Sequence, residues 1–568
     1  MGNERQLCSA GEPQQNTCCT NVPHQPMMIT PSQVLLYCGL LLGLSKYTDV
    51  PSNPTQQVTQ YYQYLIHVNI MVWVGFGFLM TFLRRYSYSA VCLNMLASAV
   101  VFVEAILIVG VMQQVAFNDY PGTTGRIVVD MPLLINASFC AASGMIAFGA
   151  VIGKTSAGQI IWLMVCQVPL YAINQHLVNI QFKALDIGGT IQIHLFGCYY
   201  GLAASYMLSR KQGKHGVDHP KNVSGYLNDV FSMVGTLFLW LYWPSFNGAL
   251  ASVPVGTDPS IVTDAQQLNQ YLCMTNTLLS LLGCTISTFA VSAICGKGKL
   301  NILHIQNSTL AGGVAMGAAC SLSLTPGGAL VVGTAAGVLS VCGYTYTTPF
   351  LDRLIGLGDT CGINNLHGMP AVLGGLVAGL AALGQDPSYL FYSSGRLQLG
   401  WQVVAMVVTF AIAVTGGLFV GWVLSVPFPA PELTTPELFD DGVWWHGITV
   451  EELGDEDYQV GNSKWAREAP EMVNSVFNVG KASVVYNAHV YGGSKAGSVN
   501  EAEAASFLQG APVTSAGLVS NVSRTSNPSP ALSREPTETK MHSKASKPMS
   551  RDDSYGRFPA ALNERKEA

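Results

Sequence analysis

The sequence predicts an all-α polytopic membrane protein: 11 core transmembrane helices in two inverted repeats, an extra N-terminal helix, and a disordered C-terminal tail. Three observations lead there. Of 568 residues, 49% are hydrophobic and only 11% charged, where soluble domains carry roughly 25% charged residues. Apolar runs of about 20 residues, enough to cross a hydrocarbon core, recur along most of the chain. Finally, the pattern Asp, two residues, Gly, four residues, His occurs twice, from Asp186 to His194 and 173 positions later from Asp359 to His367. Each copy opens an apolar run.

Taken in order, the first 28 residues are polar and lack the basic segment and apolar core of a cleaved signal. A weak apolar run at 27–45, interrupted by Thr30-Pro31-Ser32, supplies the extra helix. Stronger runs follow at 66–83, 88–113, 131–153, 158–179, 187–208, 226–250, 269–295, 302–323, 326–348, 362–385 and 401–426. Pro244 within one of them predicts a kink, because proline removes an intrahelical hydrogen bond. Glycines four apart (Gly333 and Gly337, Gly375 and Gly379) allow close helix contact. Residues 431–457 are acidic and aromatic and are expected to fold against the cytoplasmic face. Beyond about 480 the chain is rich in Ser, Ala, Pro and Gly and has little to bury, which predicts disorder. Four parts result: a polar segment 1–28, a transmembrane domain 29–426, a cytoplasmic acidic and aromatic segment 427–480, and a disordered tail 481–568.

Orientation follows from the basic residues. Alternate loops carry Arg84, Arg85, Lys154, Arg210, Lys211, Lys214, Lys221, Lys297, Lys299 and Arg353; the intervening loops carry Lys46, Arg126, Lys183 and Arg396. The richer set belongs in the cytoplasm, and so does the C-terminus. Asp186 then starts its helix from outside and Asp359 from the cytoplasm, which makes the repeat inverted. Eight residues at about 1.5 Å rise put each histidine about 12 Å deeper than its aspartate, near the midplane.

Several function classes drop out. The net charge of −5 offers no basic patch for nucleic acid. The 14 cysteines are scattered without CxxC or Cys/His spacing, so neither metal nor disulfide framework is expected. No nucleophile–base pair or phosphate-cradling Gly loop points to an enzyme, and no cofactor is implied.

Ionisable side chains at the bilayer midplane are costly, so two at matched positions of inverted halves point to a pathway through a transporter or channel. Neutral imidazoles can hydrogen-bond each other and leave two nitrogens for a passing solute. A dry passage favours that neutral form. The alternative is a pair of core histidines whose hydrogen bonds are satisfied. Asp186 and Asp359 fall where a carboxylate caps free backbone N–H groups; at a pore mouth each would also orient the pore helix and attract cations. Phe139 and Phe246 can meet above His194 as an apolar constriction, although aromatics in spans more often face lipid or core.

The runs VGFGFLMTFLRRY (74–86), LINASFCAASGMIAFGAVIGK (134–154), DIGGTIQIHLFGCYYGL (186–202), GTLFLWLYWPSFNGA (235–249), HIQNSTLAGGVAMG (304–317) and DTCGINNLHGMP (359–370) resemble the Rh glycoproteins of the ammonium transporter/Rh superfamily. The resemblance covers about 60–426, with an echo in FDDGVWW beyond. It implies a homotrimer with one hydrophobic pore per protomer, conducting ammonia and in some members proposed to pass carbon dioxide. Phe139 and Phe246 would form a phenyl gate, His194 and His367 the twin histidines, Asp186 the vestibule carboxylate and Asp359 its cytoplasmic counterpart. Two positions depart from pattern. Leu250 replaces the serine that ammonium transporters carry four residues after the second gate phenylalanine, and Gln175 replaces a glutamate common in Rh proteins. Ammonia conduction is thus the expected function; a carbon dioxide channel and a non-conducting sensor or scaffold are the alternatives. The plasma membrane is the expected location, since Lys566-Glu567-Ala568 is not a retention signal.

Overall fold

The computed structural model describes residues 31–47, 53–116, 125–209, 219–251, 264–426 and 432–445, all within the unit Met1–Ala482. The predicted polar segment 1–28, the tail from 481 and most of 427–480 lie outside the described residues. Among those described, eight helices are long and apolar enough to cross a membrane: Val58–Phe82, Ser87–Ala116, Met131–Val151, Ala157–Gln181, Leu268–Cys295, Pro326–Ile355, Asn364–Gly384 and Gly395–Leu424. Each coincides with a predicted span.

The remaining predicted spans are less regular. The 187–208 run begins as a turn and a π-helical segment, Thr190–Leu195, before the α-helix Phe196–Ser209. The 226–250 run forms Tyr226–Gly248, which continues through Pro244. The 302–323 run is not one helix: Ile302–Ser308 and Ala311–Met316 are separate, and turns follow. The break falls at Thr309-Leu310, and the glycines beyond it admit close neighbours: a Cβ at Gly312 would meet the Ser280 carbonyl and one at Gly317 the Gly188 carbonyl. The extra N-terminal helix, Pro31–Leu44, has 14 residues. At about 1.5 Å per residue it is shorter than a ~30 Å core.

Burial follows the solvent. Met131–Val151 is apolar all round and buried almost throughout, so it stands at the centre of the bundle. Gly395–Leu424 is equally apolar but buried along one side, leaving Val407, Phe419 and Trp422 outward, the pattern of a lipid-facing helix. Small residues permit the tightest crossings. A Cβ at Gly333 would fall on the Ser280 carbonyl of the Asp264–Cys295 helix, and one at Gly374 on the Ala315 carbonyl.

Residues 432–445 lie against the loops that follow the predicted spans 66–83, 131–153 and 187–208. Asp440 pairs with Arg85 at 3.1 Å and Lys221 at 2.5 Å. The Phe439 N–H donates to the Gly153 carbonyl at 2.7 Å. The Asp441 carboxylate accepts from Tyr88 N–H (2.9 Å) and Ser89 N–H (2.8 Å), at the start of the Ser87–Gly110 helix.

Candidate functional site

Both copies of the repeated motif fold alike. In the first, the Asp186 carboxylate accepts from the backbone N–H groups of Ile191 and Gln192, each at 2.8 Å. In the second, Asp359 accepts from Ile363 at 2.9 Å and Asn364 at 3.0 Å. The motif glycines, Gly189 at φ +73° and Gly362 at φ +70°, turn the chain through the left-handed region between carboxylate and helix. The helix that follows is π-wound in both, Thr190–Leu195 and Asn364–Gly368, and carries the histidine near its end. Each turn also hydrogen-bonds a buried neighbour from the opposite half of the chain: Gly188 N–H to Gly317 O at 2.9 Å, and Cys361 N–H to Gly149 O at 3.1 Å.

The two buried histidines meet. His194 Nδ1 and His367 Nδ1 are 3.1 Å apart, with ring planes 7° from parallel. One Nδ1 donates and the other accepts, so the pair exposes one Nε2 acceptor and one Nε2–H donor, whichever ring holds the shared proton. His194 Nε2 is buried without a hydrogen-bond partner, and a buried polar atom in that state is an unmet demand for one.

Further rings extend the pair into a column. Phe139 and Phe246, both buried, have centroids 4.6 Å apart; Phe246 lies 6.0 Å from His194, and beyond His367 stands Phe76 at 6.3 Å. Trp243 flanks His194 at 5.7 Å, and its indole N–H is also buried and unpaired. Below His367 a cavity is lined by Phe76, Phe82, Met145, Ile146, Cys361 and Leu366. Sequence reasoning missed Phe76 and Trp243. Both occupy the quoted runs, but nothing in their spacing separates a ring beside a histidine from one in lipid.

It also missed Lys154, taken only as a topology marker. Its buried ammonium donates to the Gly358 carbonyl at 2.8 Å and to Ser205 Oγ at 3.0 Å. Burial pulls its pKa down to about 8, opposed by Asp359, Asp352 and Cys361. Burial likewise raises the Asp359 carboxyl, opposed by its backbone N–H donors and by Lys154. At the other end, Gln175 is bound into an amide network: its Nε2 donates to Asn136 Oδ1 at 2.7 Å, and its Oε1 accepts from Gln113 at 3.0 Å. Among the described residues no group of three or more His, Cys, Asp or Glu is placed to hold a metal ion.

Comparison with known proteins agrees with this architecture. Residues 34–429 match the Ammonium Transporter Family. Ammonium transporter Rh type B of Xenopus tropicalis is 40% identical over 393 residues, 66% of this chain and 80% of that protein. Ammonium transporter Rh type C of Pan troglodytes is 41% identical over 406 residues, 68% and 79% respectively. The solved structure of Nitrosomonas europaea Rh50, of the Rhesus protein family of channels, superposes with a TM-score of 0.59 at 32% identity, covering 74% of this chain and 100% of that one. A sensor Amt protein shares the fold, with a TM-score of 0.55 at 20% identity, covering 67% and 96%. On the family match and these identities, this multi-pass membrane protein belongs to the ammonium transporter family.

Proposed function

We propose that the protein is a channel for facilitated diffusion of ammonia. The observation that carries this reading is the histidine pair, in contact within a column of apolar rings and holding an unpaired Nε2. A column of that kind suits a small neutral molecule that both donates and accepts hydrogen bonds. Ammonium gathers at the Asp186 end and gives up its proton to the water of that mouth before the Phe139–Phe246 pair. NH₃ then passes His194 and His367 and is reprotonated beyond the cavity on the Asp359 side. Cost decides for the neutral form: a charge at the centre of a span costs roughly 2.5–3.5 kcal/mol even on lenient scales. Net flux follows the NH₃ gradient. Asp186 and Asp359 hold the two turns and do not carry protons.

The resemblance supports a homotrimer with one pore per protomer, and the plasma membrane is the default location. Loop charge supports a cytoplasmic C-terminus and an Asp186 end facing outward. A second reading, carbon dioxide conduction, draws on the apolar lining around Phe76, Phe82, Met145, Ile146 and Leu366.

Stopped-flow measurement of internal pH in proteoliposomes tests both. Ammonium should alkalinise the interior far faster than in empty liposomes and without matching current. The double variant His194→Ala, His367→Ala should lose or alter that rate. Full transport by the double variant, or strongly charge-carrying uptake, would defeat the reading. A response to carbon dioxide alone would move the cargo to the second one.

A further inference from the structure

The two motif copies match in shape but not in charge. Asp186 is buried with two backbone N–H donors, and its electrostatic environment contains no lysine or arginine among the described residues. Asp359 likewise has two backbone N–H donors and in addition feels the charge of Lys154, whose ammonium donates to Gly358 rather than to the carboxylate. That ammonium is only 5% exposed. It is held by Ser205 and by the carbonyl of Gly358, the residue before Asp359. Cys361, two residues after Asp359, also feels Lys154 and lines the cavity beneath His367. A buried positive charge therefore stands beside the Asp359 turn at one end of the column, and among the described residues none stands so beside Asp186.

We propose that Lys154 acts through Asp359 as a selectivity residue, cancelling that carboxylate so that the cavity beneath His367 excludes cations. This rests on the reading that solute crosses the column uncharged. Electrostatic barriers of this kind exclude cations from pores that pass neutral molecules, and a charge buried in a low-dielectric wall is screened far less than one in water. With Lys154 in place, the Asp359 end presents no net negative charge to ammonium. Asp359 without Lys154 would become a cation site.

Because the inference predicts opposite signs for two neighbouring residues, it can be separated from a structural role. Lys154→Gln keeps a donor for Gly358 and removes the charge; Asp359→Asn removes the carboxylate; the double variant removes both. Each full-length variant would be reconstituted, and ammonium-evoked current recorded beside the alkalinisation rate. The Lys154→Gln variant should carry roughly tenfold or more current than the parent, with NH₃ flux retained. Neither Asp359→Asn nor the double variant should gain current. The inference is overturned if Lys154→Gln conducts NH₃ with no added current, or if both single variants lose transport in parallel. Should Lys154→Gln not fold, the parent protein at about pH 9.5, above the Lys154 pKa of about 8, replaces it. The groups facing Lys154 there are Asp359, Asp352, Cys361 and Ser205, so Asp359→Asn at the same pH is the control and must show no current. A parent protein without ammonia flux defeats the functional reading alone, since the current gained on removing Lys154 is scored independently.

Discussion

The repeated aspartate and glycine do most of their work on backbone. A carboxylate facing two free N–H groups satisfies donors that the first helical turn leaves open, and the glycine between them takes a φ near +70° at both copies. An L side chain there strains the turn, and the surroundings add to it: a Cβ at Gly189 would strike Ile193, and one at Gly362 would strike Tyr344. Gly189→Ala and Gly362→Ala should each cost about 1–2 kcal/mol. Thermal unfolding in detergent would register that as a lower Tm. If Tm is unchanged, the left-handed turns are not what positions His194 and His367. The same arithmetic shows why the pattern is Asp-x-x-Gly: the glycine N–H returns to the aspartate carbonyl, at 2.9 Å in the first copy and 3.4 Å in the second.

At the scale of elements, winding and close packing aim the side chains. Each histidine sits on a π-helical segment, where one extra residue per turn shifts a side chain relative to a regular helix. No periodicity reading foresees that shift. Glycine contacts between spans are the second device. Gly333 of the Pro326–Cys342 helix touches the backbone of Ser280, whereas Gly327 at the start of the same helix has open space around its Cα. Gly333→Leu should force the helices apart and lower stability by more than about 2 kcal/mol, the upper range for overpacking. Gly327→Ala should leave Tm unchanged or slightly raised. Equal behaviour of the two would show that the glycine spacing has no packing role.

Across the whole molecule, residues 432–445 tie distant loops together. The Ser87–Gly110 helix has no side-chain cap of its own, and Asp441, more than 350 residues further along the chain, caps it. Burial raises the Asp441 carboxyl, partly offset by those backbone donors and by Ser89. Phe439 meanwhile bonds Gly153, one residue before Lys154. Asp441→Ala should cost about 1 kcal/mol, as loss of a cap does. Proteolysis within 432–445 should then be faster in native protein; an unchanged cleavage rate would show that Asp441 does not secure the segment.

Composition and run length alone settled that this is a polytopic helical membrane protein, because a hydrocarbon core demands long apolar helices whatever the side-chain details. The repeat likewise made both Asp-to-His motifs legible, since a cap, a left-handed glycine and a histidine must fall at set intervals along one strand of backbone. Tertiary structure decided the rest. It broke the 302–323 run, wound the histidine segments as π-helix, and set Phe76 and Trp243 beside the imidazoles. It also made a lysine counted only for topology into the buried neighbour of Asp359. These are contacts between residues far apart in the chain, and local spacing carries no information about which neighbour a folded bundle will supply.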